Sequence, residues 1–468
     1  MELTVVLLGF DAVLVAATAL FARDAAREGD RRAAAVGAIV LALLVALGLL
    51  IASVPGAGLP VAVSFAVFLG FVLLLTVPGK NPPDTAQGAM RHAVAAPVRF
   101  DERDIVFARN RSLPPGSDVY RRYYAAHPER ERRDDERRRK GGTVGRIGAI
   151  DDGYRPNVAM IQACFEMPGI LGRLAEATPS DGAGREPMDP ARAARVIKGL
   201  ARRLGADLVG ICRVNPAWAY SHRGEIFYSN WEEWGAEMPA PLPFAVVVGT
   251  EMDHANVGTG PHTPALFESA TNYGKGAFIT TILSRWLAGM GYRATAQHSR
   301  HYDLNMVPLA IDAGLGELGR FGYLIADRLG PRVRLFAVTT DMPLEPDRPI
   351  HLGVDGFCRR CLKCAESCPS KSIPPGGKTV VNGVEKWHLD AESCFDYWAK
   401  VGTDCSACMG VCPFSRPNRG LHRLVRWAIR RSALARRVLP GVDNFVYGKR
   451  WRPRPAPEWI AYPASPKR

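Results

Sequence analysis

Eight of the ten cysteines in this chain fall in two runs near the C-terminus. The first, Cys358-x2-Cys361-x2-Cys364-x3-Cys368-Pro369, has the spacing of bacterial two-cluster ferredoxins, where three thiolates hold one cubane and the fourth reaches the other. The second, Cys405-x2-Cys408-x3-Cys412-Pro413, is one CxxC step shorter, and Cys394 stands upstream as the replacement ligand. A short loop wraps three corners of a cubane, so each fourth ligand must come from elsewhere in the chain. The spacing therefore assigns Cys358, Cys361, Cys364 and Cys412 to one [4Fe–4S] cluster, and Cys368, Cys394, Cys405 and Cys408 to a second. Zinc sites and disulfides also use CxxC spacings, but a doubled CxxxCP ending is foreign to zinc. Cys164 and Cys212 lie in apolar surroundings and are expected to be buried core thiols.

Eight positioned thiolates need a scaffold, and 468 residues with 47% hydrophobic content leave room for two or three folded domains. The apolar content is uneven. Leu3–Ala22, Ala33–Val54 and Leu59–Val77 are each about long enough to cross a bilayer, which predicts three transmembrane helices. The first has no basic leader and two more spans follow it, so it reads as an anchor and not a cleaved signal. Asp11 within it is expected to stay wet near an end, or to pack in the bundle. Arg23, Arg27, Arg31 and Arg32 fill the first loop, Pro55–Gly58 holds no charge, and Lys80 follows the third span. The positive-inside bias then puts the first loop and everything after Lys80 in the cytoplasm of a multi-pass cell-membrane protein, a reducing compartment that suits clusters and free thiols.

The remaining chain divides into a linker and arm at 81–186, a core at 187–349, a cluster domain at 350–417 and a basic tail at 418–468. The arm looks loosely structured over 97–180. In the core, Ala191–Leu204 and Ala277–Met290 read as helices, and Ala206–Cys212, Phe244–Thr250 and Val333–Thr339 as strands, an α+β or α/β layer pattern. The net charge is +14. Its densest run, Glu129–Lys140, interleaves both signs and reads as a solvated helix or loop, so no nucleic-acid partner is expected. In the tail, Leu421, Leu424, Val425, Ala428 and Ile429 recur at helical spacing among Arg419, Arg423, Arg426, Arg430 and Arg431. Such a helix packs on the cluster domain, or also leans on anionic lipid.

Gly314, Gly316 and Gly319 satisfy G-x-G-x-x-G, and Asp341 follows at about the interval of a ribose-binding acid. No clean strand leads into the motif, and glycines of this kind also line other bulky cofactors, so they stand as candidate cofactor-binding positions.

The cluster runs with their flanks resemble the corrinoid-dependent reductive dehalogenases. The similarity is carried by Phe100–Arg109, Leu204–Cys212, Pro308–Leu324, Asp341–Asp347, Phe357–Ile373, Cys394–Pro413 and the tail from Ser415 to Trp459. Epoxyqueuosine reductases are more distantly similar. The resemblance implies a nitroreductase-like α/β core joined to a ferredoxin-like module, with a cobalamin-type corrinoid gripped between them. It implies reductive removal of halide from an organohalide, with electrons from a membrane or soluble low-potential donor. The family's proton-donating tyrosine matches Tyr273 in TNYGKG, with Arg320 as the neighbouring cation and Lys275 in reserve. D-x-H-x-x-G is absent, because Asp253, His254 and Gly258 have the wrong spacing, so no lower axial histidine is expected. Relatives with a cleaved twin-arginine leader differ from a chain with its own anchor. The rival readings are an epoxyqueuosine reductase-like corrinoid enzyme and a membrane-bound ferredoxin-type carrier.

Overall fold

The computed structural model describes residues 2–54, 58–79, 86–141, 145–179 and 184–463; Lys80 and the start of the polar linker lie outside them. Three apolar helices come first: α1 (Glu2–Arg27), α2 (Arg31–Ser53) and α3 (Gly58–Leu74). Asp30 caps α2 by accepting from the Ala33 amide at 3.1 Å, and α1 and α2 form a hairpin. Both are long and apolar enough to cross a membrane. The third is not clearly so: its 17 residues reach about 25 Å at 1.5 Å per residue, short of a hydrocarbon core of about 30 Å. Asp11 is buried, with its carboxylate against Gly48 of α2, so it packs within the hairpin.

The arm is more ordered than its composition suggests. It forms helices at Val106–Ser112 and Asp118–Ala126, α4 (Pro128–Arg139), and a further helix at Arg155–Leu171. The mixed-charge run is α4, yet Asp134 and Arg137 on it are fully buried. Asp134 accepts from Arg109 Nε at 2.8 Å, Arg137 Nη1 at 2.7 Å and the Tyr124 hydroxyl at 2.9 Å. Arg109 and Arg137 also pair with Glu392 of the cluster domain. Ion pairing around Asp134 orders this segment, beside a buried cluster of Leu113, Tyr120, Tyr123 and Tyr124. The arm also ties to the core through buried Glu102, which accepts from the Gly224 amide at 2.7 Å and the Glu225 amide at 3.1 Å. Burial pushes the Glu102 carboxyl up to about 7 against the pull of the Gly224 amide.

The core is a five-stranded sheet, β1 (Glu176–Ala177), β2 (Leu208–Arg213), β3 (Phe244–Glu251), β4 (Ala294–Gln297) and β7 (Val333–Thr340), in the order β1-β4-β7-β3-β2. Every pairing is antiparallel. Between β4 and β7 the chain makes a separate hairpin, β5 (Gly316–Leu318) with β6 (Leu324–Ala326). Helices α5 (Pro190–Arg203) and α6 (Thr263–Gly289) cover one sheet face; α7 (Met306–Asp312) covers the other. On the first face Ile197, Val246, Ile279, Leu283, Phe336 and Val338 are wholly or almost wholly buried, each contributing about 1.5–3 kcal/mol by leaving water.

The central helix α6 starts at Thr263, well before the expected Ala277. Gly274 and Gly276 break its apolar pattern in the sequence, but Gly276 is there for packing. A Cβ at that position would collide with the Phe336 ring, forcing helix and sheet apart. Tyr273 consequently sits inside this helix and not ahead of it.

The cluster domain holds α8 (Val354–Cys361) and α9 (Ala391–Val401). The tail folds as a helical hairpin, α10 (Gly420–Arg431) and α11 (Ala433–Tyr447). Val425, Ile429 and Leu439 turn inward onto the core that surrounds the cysteines.

Candidate iron–sulfur and catalytic site

The two cysteine runs bend back on themselves through left-handed residues: Leu362 at φ 55°, Cys405 at φ 63° and Ser406 at φ 54°. Non-glycine residues adopt this conformation at a cost, and such positions gather where a ligand fixes the backbone. The turns create two cavities. One is walled by Cys358, Cys361, Cys364 and Cys412 with Arg320, Phe357 and Phe414. The other is walled by Cys368, Cys394, Cys405 and Cys408 with Tyr323, Arg334, Tyr397 and Trp398. Phe321 lines both. The fold thus brings together the two sets of four that the spacing groups.

Among the described residues no three of His, Cys, Asp or Glu converge on a single metal ion. Burial pushes the Cys361 thiol up to about 11, and the Cys394 and Cys405 thiols up to about 12; Cys368 adds to the rise at Cys394.

Arg320 does not approach Tyr273. It is buried beside the first cavity, donating to the Cys358 carbonyl at 3.1 Å and to the Pro374 and Gly376 carbonyls at 2.8 and 2.9 Å, with Trp387 beneath it at 4.5 Å. Its position just after the β5 strand carries it toward the cluster loops. Lys275 points out to Asp207 at 3.2 Å. The cation over the Tyr273 ring is Arg334, 5.2 Å from the centroid. Tyr273 also packs on Phe336 and Phe165 at 6.4 and 6.0 Å. Arg334 binds the buried Asp404 at 2.9 Å and the Ser269 hydroxyl, and it lines the second cluster cavity. One guanidinium therefore touches both the tyrosine and the seat of a cluster. Its sequence signal was legible: Arg334 is a charge with the same inward parity as Phe336 and Val338 on an apolar strand.

The three glycines serve the fold. A Cβ at Gly314 (φ 72°) would strike the Arg348 carbonyl, one at Gly316 the Ile325 carbonyl, and one at Gly319 the Ile325 side chain at 3.0 Å. The motif joins a helix to a hairpin, not a strand to a helix, so the dinucleotide reading falls. Asp341 pairs with Arg185 and Arg293. Tyr397 and Trp398 line the second cavity, while Trp218 is core and donates to Asp312 at 2.8 Å. Cys212 is buried; Cys164 is only partly so.

A family model for a 4Fe-4S dicluster domain matches residues 357–415. The tetrachloroethene reductive dehalogenase of Sulfurospirillum multivorans is 33% identical over 291 residues, covering 56% of this chain and 58% of that protein. Its counterpart from Desulfitobacterium hafniense is 31% identical over 282 residues, half of each chain. A solved catabolic reductive dehalogenase superposes with a TM-score of 0.58 at 25% identity, over 81% of this chain and 50% of that one. By sequence and by fold the chain is a homologue of the reductive dehalogenases. It spans about half the length of the curated relatives it matches. An epoxyqueuosine reductase from Lactococcus garvieae is a more distant relative, 27% identical over 115 residues. The dicluster match and the paired cavities make this homologue a carrier of two [4Fe–4S] clusters. Its relatives are oxidoreductases by name.

Proposed function

We propose that the protein is a membrane-anchored reductive dehalogenase that replaces a carbon-bound halogen by hydrogen. The reaction consumes two electrons and one proton and releases halide. The observation that carries this reading is the contact of Arg334 with both Tyr273 and the second cluster cavity. Electron delivery and proton delivery converge there.

The structure of one reductive dehalogenase neighbour suggests a mechanism for B12-dependent dehalogenation, and another is in complex with 3-bromo-4-hydroxybenzoic acid. The elements around Tyr273 suit a corrinoid. Arg334 Nε, Thr281 Oγ1, His298 Nε2 and Ser299 Oγ are buried polar atoms that have no hydrogen-bond partner among the described residues. Each such orphan costs about 1–3 kcal/mol, and a macrocycle rimmed with amides supplies donors and acceptors for them. Such a cofactor contributes a low-potential metal centre that cleaves the carbon–halogen bond. Arg334, Thr281, His298 and Ser299 would hold its edge. Tyr273 holds a transferable proton on its phenol oxygen, and the Arg334 guanidinium stabilises the negative charge left after transfer. Asp404 fixes that guanidinium in place, while Phe165 and Phe336 pack against the half-buried ring. Arg320, beside the first cavity, offsets the negative charge of a reduced cluster.

Helices α1–α3 form the anchor in this reading, with the soluble part facing the cytoplasm. The arginines between α1 and α2 support that sidedness. So do Arg32, which donates to the Phe445 carbonyl at 3.1 Å, and Asp30, 3.6 Å from Arg454, since these contacts put the first loop on the same side as the tail. The test is anaerobic purification, quantitation of iron and cobalt, and halide release from a panel of haloaromatics and haloalkenes. Cobalt with about eight irons and halide turnover are expected; full cofactor loading without turnover on any substrate overturns the proposal.

A further inference from the structure

The tail hairpin presents an apolar face that nothing among the described residues covers. Leu421, Leu424 and Trp427 on α10 are 50%, 55% and 42% exposed, and Val442 and Phe445 on α11 are 47% and 66% exposed. Leu421, Leu424 and Trp427 follow at i, i+3 and i+6; Leu434, Val442 and Phe445 follow at i, i+8 and i+11. Each set makes one stripe on its helix. The opposite faces, carrying Val425, Ile429 and Leu439, pack on the cluster domain. Around the outer stripes Arg419, Arg423, Arg430, Arg431, Arg437, Lys449, Arg450 and Arg452 are exposed. The single acid between Arg419 and Arg452 is Asp443, and it is engaged by Lys363 and by Arg416 at 2.5 Å.

The ends of α11 are pinned to two points of the anchor. At the joint just before its start, the Gly79 amide just beyond α3 donates to the carbonyl of Arg431, the last residue of α10, at 2.9 Å. At its finish, Arg32 at the head of α2 holds Phe445, and Phe21 of α1 meets Tyr447 edge-on at 6.4 Å. Helix ends on one side of a membrane anchor lie near one interface plane. A helix of about 22 Å fixed to both points must run along that plane.

We infer that α10 and α11 lie on the bilayer surface beneath the anchor, with Leu421, Leu424, Trp427, Leu434, Val442 and Phe445 dipping among anionic lipids. This rests on the membrane anchoring proposed above. Basic, Trp- and Leu-bearing amphipathic helices take this position, and Lys and Arg side chains near an anionic surface strengthen the attachment. Helix α8, which carries Cys358 and Cys361, packs on α11, so a single helix layer of about 10 Å separates the first cluster from lipid.

The test uses the full-length holoenzyme in vesicles of phosphatidylcholine alone or mixed with phosphatidylglycerol, doped with lipids brominated near the headgroup. The emission of Trp427 is the wild-type signal minus that of Trp427→Phe. Loss of most of that emission to bromolipid is expected, with greater loss in the anionic vesicles. The difference between the two compositions should vanish in an Arg423→Gln, Arg430→Gln, Arg431→Gln, Arg437→Gln variant that remains vesicle-bound. Trp427 quenched by aqueous acrylamide and untouched by bromolipid, in protein that resists carbonate extraction, overturns the inference and leaves the anchor standing. So does protection of Trp427 by a second copy, seen as a dimer in detergent. Release by carbonate overturns the anchor, and the inference with it.

Discussion

Replacing Arg334 with glutamine removes the charge over Tyr273 while keeping most of the side chain's bulk. Its guanidinium lies 5.2 Å from the ring centroid. At an effective dielectric of about 20, a unit charge developing at that distance is stabilised by about 3 kcal/mol. The 2.9 Å contact with Asp404 offsets part of this, which leaves about 1.5–3 kcal/mol, or roughly a 10- to 100-fold slower proton-dependent step. Glutamine alone would strand the Asp404 carboxylate in the interior, so Arg334→Gln is paired with Asp404→Asn. Lysine keeps the charge but loses the planar fork, and an intermediate rate is expected. The assay is single-turnover halide release by anaerobically reduced enzyme in H2O and D2O. The double variant should slow release and enlarge the solvent isotope effect, with iron content unchanged. A wild-type rate in that variant, or a loss of rate that only tracks loss of iron, would refute the role of Arg334.

The cysteine grouping predicts that Cys412→Ser and Cys408→Ser damage different clusters, each altering one of two reduced-state paramagnetic signals; both variants perturbing the same signal would break the assignment. Asp134→Asn leaves Arg109 and Arg137 buried with one partner fewer, and should cost about 3–5 kcal/mol, measured as a lower unfolding midpoint; an unchanged midpoint would mean the arm is held by something else. Glu102 predicts a pH effect. Its folded carboxyl sits at about 7 against 4.5 unfolded, so its contribution is fully present below pH 4.5 and is lost as pH rises through 7, a change of about 3 kcal/mol at most. Glu102→Gln should flatten that part of the stability profile, and an unflattened profile would remove Glu102 as its cause.

What was legible in the sequence was what ligand chemistry imposes locally. Three cysteines two residues apart can wrap only one cube, so both the runs and the crossing of Cys368 and Cys412 between cavities followed from spacing. The strands of the core were legible as apolar runs, but their antiparallel order was not, because no periodicity records which edge a strand joins. The start of α6 was hidden by Gly274 and Gly276, whose reason lies in the ring of Phe336, sixty residues away. The order of the arm is not legible, because it comes from buried ion pairs and short aromatic clusters and not from a long apolar period. Arg320 and Arg334 look alike as isolated cations; the sheet, by giving Arg334 the same inward face as Phe336, decides which one meets Tyr273.

The most direct measurement is halide released per chain by the cobalt-loaded, reduced enzyme, set beside a Tyr273→Phe variant with equal iron and cobalt. Multiple turnovers by the native enzyme and a fall of about 100-fold or more in the variant are predicted. No halide from the native enzyme, or equal halide from both, would contradict the account.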